Sequence, residues 1–279
     1  MPELPEVETI KETLKYLVLD KDIIDVDIFW PKMIKQPDDC AVFKSILTGQ
    51  TIQDVTRKGK FLVFHLNDHV LVSHLRMEGK YSVHPSDAPI KKHTHVIFHL
   101  STGEDLRYND VRKFGTMHVF PKGDELTQKP LMTLGPDPFE TDFTVDYLYG
   151  KLQKTNRLIK VALLDQSIVA GLGNIYVDET LYRAQIHPLR RACTLTKLEV
   201  GAVHEHAIQT LEEAVLQGGT TIRSYVNTQG TMGMFQQKLA VYGQTDKPCP
   251  SCGTPIVKLR AAGRGTHICT TCQPFQEER

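Results

Sequence analysis

Cys249-Pro250-Ser251-Cys252 and Cys269-Thr270-Thr271-Cys272 stand near the C-terminal end of the chain and decide how that end is built. Their spacing, Cys-x2-Cys-x16-Cys-x2-Cys, sets four thiolates around one tetrahedral Zn²⁺. A pair of disulfides is the competing reading of any four cysteines. Two tight Cys-x2-Cys pairs in a chain that opens with no secretion signal favour zinc. One structural ion lets a short segment hold a rigid loop without a hydrophobic core, and a rigid basic loop suits a phosphate backbone.

Lys247, Lys258, Arg260 and Arg264 lie in and beside this module, and residues 247–276 contain no Asp or Glu. The chain as a whole balances 33 basic against 33 acidic residues, which argues against a protein that spreads itself over nucleic acid. Asp137, Glu140, Asp142 and Asp146 crowd one short stretch, so distribution matters more than the total. Four thiolates and Zn²⁺ sum to minus two and offset part of the local positive charge. A modest basic surface suited to a defined groove is expected.

Upstream, 279 residues with 41% hydrophobic and 24% charged side chains leave room for two domains besides the zinc module. No stretch approaches a membrane span. Met1-Pro2-Glu3-Leu4-Pro5-Glu6 is acidic and proline-bearing, the opposite of a signal peptide, so a cytoplasmic protein with free thiols at Cys40 and Cys193 is expected.

Val7, Ile10, Leu14 and Leu17 keep near-helical spacing, and Pro5 and Glu6 suit a first turn, which predicts a helix from Pro5 to Val18. From there to Phe120 the pattern is that of strands. Leu62, Phe64 and Leu66 alternate, and Val70–Leu75, His95–Leu100 and Met117–Phe120 follow between Gly, Asp, Asn and Pro clusters, as in an antiparallel sandwich or barrel. Leu134-Gly135-Pro136-Asp137-Pro138-Phe139-Glu140 breaks both periodicities and marks a domain boundary. Beyond it Leu158–Leu164, Asn174–Ala184 and Lys197–Leu216 predict helices, the last ending at Gly218-Gly219. The loop from Gln217 to Phe235 is long for a compact domain and is therefore functional or mobile. The expected architecture is α+β and multidomain: an N-terminal antiparallel β-sandwich over 1–134, a linker over 135–148, a helical domain over 149–235 and the zinc finger over 236–279.

Several local matches carry nothing. His204-Glu205-His206 lacks the i, i+4 histidine pair of a zincin helix. Gly171-x-Gly173 has Tyr176 where a dinucleotide fingerprint needs its third glycine. His93-x-His95 offers two imidazoles, and two ligands do not make a metal site.

Pro2, directly after Met1, permits removal of the initiator methionine and exposure of a secondary amine. An α-amine has a reference pKa of about 7.7 to 8.0, so it is partly unprotonated and nucleophilic near neutral pH. It can attack an electrophilic sugar carbon and give an iminium. Glu3 and Glu6 stand beside it, one able to protonate a departing oxygen and the other to move protons off the iminium. Helix capping accounts for the same residues without any chemistry.

Pro2-Glu3-Leu4-Pro5-Glu6-Val7-Glu8-Thr9, Arg57-Lys58-Gly59-Lys60-Phe61, Gly171-Leu172-Gly173-Asn174-Ile175-Tyr176 and the four-cysteine finger together resemble bacterial formamidopyrimidine-DNA glycosylase over nearly the whole chain. The opening differs from the Pro-Glu-Gly-Pro-Glu typical of the sister endonuclease VIII enzymes. The resemblance implies a helix-two-turn-helix element in the helical domain and a catalytic role for the N-terminal helix. It also implies a monomeric enzyme that removes oxidised purines such as 8-oxoguanine and formamidopyrimidines from duplex DNA and cuts the abasic strand by β,δ-elimination. Pro2 would attack C1′, Glu3 would assist sugar-ring opening, Glu6 would support proton transfers and Lys60 would contact phosphate near the lesion.

An extruded nucleotide leaves a hole in the duplex that something must fill. By resemblance Met77, Arg112 and Phe114 fill it, and a thioether, a guanidinium and an aromatic ring suit the task. Taken alone, Met77 and Phe114 could equally be core residues. His74, Asn174, Tyr242, Lys258 and Arg264 are the implied phosphate contacts, although Asn174 could instead cap the following helix. The loop around Thr220 to Tyr225 would read N7 of the damaged base through main-chain groups, with Glu78, Thr220 and Ser224 as candidate base contacts. Two alternatives stay open: an oxidised-pyrimidine glycosylase of the endonuclease VIII type, and a non-catalytic zinc protein that only binds nucleic acid. The implied cofactor is one structural Zn²⁺, and the implied partner is damaged duplex DNA, with no membrane and no obligate protein partner.

Overall fold

The computed structural model describes residues 1–220 and 234–275. They divide into two units, residues 1–132 and residues 133–220 with 234–275.

In the first unit α1 (Leu4–Val18) starts one residue before the predicted Pro5 and buries Val7, Ile10, Leu14 and Val18, the apolar positions of its helical spacing. Nine strands follow among the described residues: β1 (Ile23–Ile28), β2 (Ile34–Gln36), β3 (Asp54–Lys58), β4 (Phe61–His65), β5 (His69–His74), β6 (Lys80–Pro85), β7 (Thr94–Leu100), β8 (Glu104–Asn109) and β9 (Thr116–Pro121). They form two sheets, β1-β7-β8-β6 and β2-β9-β5-β4-β3. Every pairing is antiparallel except the short β2–β9 pair, which is parallel. Phe64, Phe98, Leu106, Tyr108 and Met117 join the apolar face of α1 in one buried cluster. Each such side chain contributes roughly 1.5–3 kcal/mol through burial.

The strand-rich reading of this region misses α2 (Cys40–Leu47), whose N-terminal N–H groups are capped by the Asp39 carboxylate. A helix of 8 residues is too short for its periodicity to stand out, and the cap was its only clear signal.

In the second unit α3 (Val145–Leu152) is capped by Thr144 and runs across position 148, at which the predicted linker ends. The Asp- and Pro-rich approach to it hides the helix in the sequence. α4 (Ile159–Leu164), α5 (Asn174–Arg183) and α6 (Lys197–Leu216) stand close to their predicted ranges. β10 (Val257–Ala261) and β11 (Arg264–Ile268) form an antiparallel hairpin, and β11 packs against α5. A small core of Tyr182, Val241, Cys249, Ile256 and Cys269 lies beside it.

Candidate functional site

Pro2 is half-buried and leads directly into α1. The first turn takes two acids out of solvent, with Glu3 and Glu6 each 3% exposed. The Glu6 carboxylate accepts the Glu3 backbone N–H at 2.8 Å, and the Glu3 side chain accepts the Glu6 N–H in return. Capping and chemistry are therefore not exclusive, since the carboxylates that cap the helix are also held buried beside Pro2. Burial of a carboxylate is costly, and a cap alone does not require it.

Lys60 is also buried, in the turn between β3 and β4. Arg57 ties that turn to α1: Nε donates to the Glu8 carboxylate at 2.8 Å, while the guanidinium also donates to the Gly59 carbonyl at 3.0 Å. Burial alone would raise the Glu8 carboxyl, but hydrogen bonds from Lys11 and Arg57 outweigh it and hold the group below its ordinary value. Because α1 packs on β3 and β4, Pro2, Glu3, Glu6 and Lys60 stand on adjoining elements. The sequence assigned no role to Glu8 or Arg57, since their tie joins residues 49 positions apart.

Met77 and Phe114 each follow a non-glycine residue in left-handed backbone, Arg76 at φ 54° and Lys113 at φ 59°. That conformation is costly for a residue with a Cβ and recurs at functional turns. The side chains it delivers are exposed, Met77 by 40% and Phe114 by 51%, so neither is a core residue. Arg112 is exposed, with its guanidinium 4.9 Å above the Phe114 ring, and Glu78 is exposed beside Met77. Asp110, fully buried, accepts the backbone N–H groups of Arg112, Phe114 and Gly115 at 3.0, 2.8 and 2.9 Å.

His74 closes β5 and accepts the Arg76 N–H at Nδ1, 2.8 Å away, which leaves Nε2 to carry the proton. Burial first, then the charges of Arg76, Lys60 and His118, push its pKa down to about 3. It is a neutral hydrogen-bond donor at pH 7.

In the second unit the four cysteine Sγ atoms lie within 4.8 Å of one another. Cys249 and Cys272 are 3.8 Å apart, and Cys252 and Cys269 3.4 Å. Zn–S bonds of about 2.3 Å in a tetrahedron require S–S edges of about 3.8 Å, whereas a disulfide requires about 2.05 Å. The donor set fits one structural Zn²⁺, with every ligand position supplied by protein, and the disulfide reading fails. Among the described residues it is the one His/Cys/Asp/Glu cluster arranged to hold a metal. His93 and His95 form no such group, and His204 instead donates from Nε2 to the Phe143 carbonyl at 2.7 Å.

Arg264 is exposed at the start of β11, just past Ala262 (φ 47°) and Gly263 (φ 81°). Two successive left-handed residues make the tight hairpin turn that matches strand twist. Lys258 is exposed on β10, opposite His267. Asn174 does not cap α5, because Gly173 holds the cap position; its Nδ2 donates to the Gly265 carbonyl at 3.0 Å. Tyr242 is half-buried with its ring 4.9 Å from His267, and its N–H, with those of Ala240 and Val241, is held by the buried Glu179 carboxylate at 2.8 to 3.0 Å. Thr220 is half-buried, and Ser224 with the rest of the predicted reading loop to Tyr225 lies outside the described residues. Glu179 and the buried pair Lys160 and Asp178 had no sequence signal beyond being charges on helices with apolar neighbours.

Residues 1–117 match the N-terminal domain of formamidopyrimidine-DNA glycosylase, residues 134–226 its H2TH domain, and residues 246–274 a zinc finger found in this enzyme and in IleRS. Formamidopyrimidine-DNA glycosylase of Oceanobacillus iheyensis is 65% identical over 277 residues, covering 99% of each chain. That of Bacillus licheniformis is 59% identical over 273 residues, 98% of this chain and 99% of its own. A solved structure of Lactococcus lactis Fpg with DNA containing N7-benzyl-Fapy-dG superposes with a TM-score of 0.91 at 41% identity, over 98% of this chain and 100% of that one. A complex of the same enzyme with DNA containing an abasic site gives the same score, identity and coverage. With all three modules matched in order and the cysteine geometry fitting zinc, the chain belongs to the formamidopyrimidine-DNA glycosylase family, whose members are DNA-repair glycosylases with AP lyase activity.

Proposed function

We propose that the chain excises oxidised purines, 8-oxoguanine and formamidopyrimidines, from duplex DNA and then cleaves the abasic strand by β,δ-elimination. With Met1 removed, the Pro2 amine attacks C1′ as the N-glycosidic bond breaks and the base leaves with a proton. Glu3 protonates the ring oxygen as the C1′–O4′ bond opens, giving an iminium between C1′ and Pro2. Loss of a C2′ proton then expels the 3′-phosphate, a further elimination expels the 5′-phosphate, and Glu6 supports the proton transfers. Lys60 neutralises phosphate near the lesion. The observation that carries this reading is the pair of carboxylates, each 3% exposed, in the turn that follows Pro2.

On the DNA, Met77, Arg112 and Phe114 fill the vacated position, while His74, Asn174, Tyr242, Lys258 and Arg264 contact phosphate. Glu78, Thr220 and Ser224 serve the base. Zinc keeps the finger folded and takes no part in bond breaking. The catalytic domain is assigned to residues 1–134, the linker to 135–148, the helix-two-turn-helix domain with its reading loop to 149–235 and the finger to 236–279. The Lactococcus complexes with Fapy-dG and abasic-site DNA support the substrate class.

Borohydride reduction during reaction with 8-oxoguanine duplex tests the reading. It traps a covalent protein–DNA adduct at Pro2. Equal trapping by Pro2→Gly, or by a protein extended beyond Pro2, refutes the assignment.

A further inference from the structure

The turns that carry Met77 and Phe114 are separate in sequence but alike in place. Leu75–Gly79 passes from β5 in the five-stranded sheet to β6 in the four-stranded sheet, and Asp110–Gly115 passes back from β8 to β9. Both turns close on one side chain. A Cβ placed on Gly79 would lie 2.1 Å from the Tyr108 hydroxyl oxygen, and a Cβ placed on Gly115 would lie 1.8 Å from the same atom. At Gly115 no other residue type fits unless Tyr108 moves, and at Gly79 the Leu75 carbonyl oxygen, 2.6 Å from the same Cβ, would have to give way as well. Tyr108 is fully buried with its ring packed edge-on against Tyr81 at 5.0 Å.

Each turn is also closed on itself. The Gly79 N–H donates to the Leu75 carbonyl at 2.9 Å, which shuts the Met77 turn just below Tyr108. Asp110 shuts the other with its three backbone hydrogen bonds, and the Lys113 ammonium lies 4.0 Å over the Trp30 ring as a second anchor. Two internally rigid turns that rest on one oxygen cannot be displaced independently in a close-packed interior.

We infer that Tyr108 is a positioning residue that joins the two turns into a single wedge, so that Met77 and the Arg112–Phe114 pair enter the duplex together, with Asp110 clamping the second half. The inference rests on the reading of these three side chains as fillers of the vacated position. A preformed wedge spares the ordering of two loops at the moment of insertion. It also explains Gly115, which has no positive φ and admits the hydroxyl, while Gly79 admits both the hydroxyl and the Leu75 carbonyl oxygen.

The test is a double-mutant cycle. Single-turnover excision from 8-oxoguanine duplex is measured for Met77→Ala, Phe114→Ala and the two combined, each with and without Tyr108→Phe. With Tyr108 present, the combined variant loses no more than the worse single variant, because either change already disables the wedge. With Tyr108→Phe the two losses multiply to within about threefold, as for independent sites. Multiplying losses in the presence of Tyr108, or unchanged coupling without its hydroxyl, overturns the inference. Cleavage of single-stranded abasic DNA, which needs no wedge, stays unchanged in Tyr108→Phe; a fall in step with duplex excision overturns a positioning role in favour of general damage. If Met77→Ala and Phe114→Ala each leave duplex excision intact, the underlying reading fails and takes this one with it. Asp110→Asn is the independent variant. It faces an amide NH₂ toward backbone donors and should reproduce the loss seen with Phe114→Ala, and wild-type duplex excision by Asp110→Asn overturns the clamp.

Discussion

Lys160 Nζ lies 2.6 Å from Asp178 Oδ1, with both side chains fully out of solvent. The same ammonium donates to the Gly265 carbonyl at 3.1 Å and the Thr266 hydroxyl at 2.8 Å, while Asp178 Oδ2 accepts the His267 N–H at 2.9 Å. A buried ion pair thus fastens α4 and α5 to the hairpin strand that begins at Arg264. Removing one partner leaves an uncompensated buried charge, which costs about 3–5 kcal/mol. Lys160→Met and Asp178→Ala should each lower urea stability by that order, and each should weaken DNA binding through loss of the hairpin's footing. An unfolding midpoint equal to wild type refutes this.

Arg264 and His74 should separate in their salt dependence. A phosphate contact made by a cation releases a counterion, so Arg264→Ala should weaken binding and flatten the slope of log K against log salt by about 0.9. His74 is neutral at pH 7, and His74→Ala should weaken binding with the slope intact. Anisotropy titrations over a range of salt concentrations check both, and an equal change of slope in the two variants would contradict the neutral state of His74.

Acid should destabilise the first unit earlier than its carboxylates alone would. Burial pushes His74 down to about 3 and His118 down to about 4, in the latter helped by Lys35 and Arg76. In the unfolded chain both titrate near 6.5, so the folded state binds fewer protons between these values. Their contribution to stability is complete above about pH 6.5 and is lost as pH falls toward about 4 and then about 3. Thermal midpoints measured from pH 7 to pH 4 should fall, and fall less steeply in His118→Asn.

Chelation of zinc should abolish duplex binding while most helical and strand signal persists in circular dichroism. The core around the cysteines holds only five buried residues, one of them Tyr182 of α5, and is too small to keep the finger folded without its metal. Retained binding after complete zinc loss, verified by metal analysis, would show that Lys160, Asp178 and Asn174 suffice to hold the hairpin.

Substrate class is open to a direct comparison. Excision of 8-oxoguanine opposite cytosine should exceed excision of thymine glycol in single-turnover assays of matched duplexes. The reverse preference would place the chain with the oxidised-pyrimidine enzymes.

Local chemistry was legible wherever neighbours in sequence act together. The cysteine pairs declare a tetrahedral site through spacing alone, and α6 appears at Lys197–Leu216 with Gly218-Gly219 marking its end. Short elements were hidden, as α2 and α3 show, because 8 residues carry about two helical turns and little period to detect. Asn174 shows a different limit. Its position at the start of a helix left a cap open beside the implied phosphate contact, yet Gly173 takes the cap place and the Asn174 amide bonds Gly265, a partner 91 positions away.

From residue order alone came the zinc ligands, the capped N-terminal helix with its two acids, and the order of sandwich, helices and finger. These depend on spacing and on short-range hydrogen bonding, which a linear chain displays. Tertiary structure alone decided that Glu3 and Glu6 are buried and that Arg57 carries the Lys60 turn to α1. It also decided that Lys160 and Asp178 anchor the finger, and that one hydroxyl on Tyr108 stands where Gly79 and Gly115 have no side chain. Each depends on desolvation or on contact between distant segments, and those energies exist only once the chain has packed.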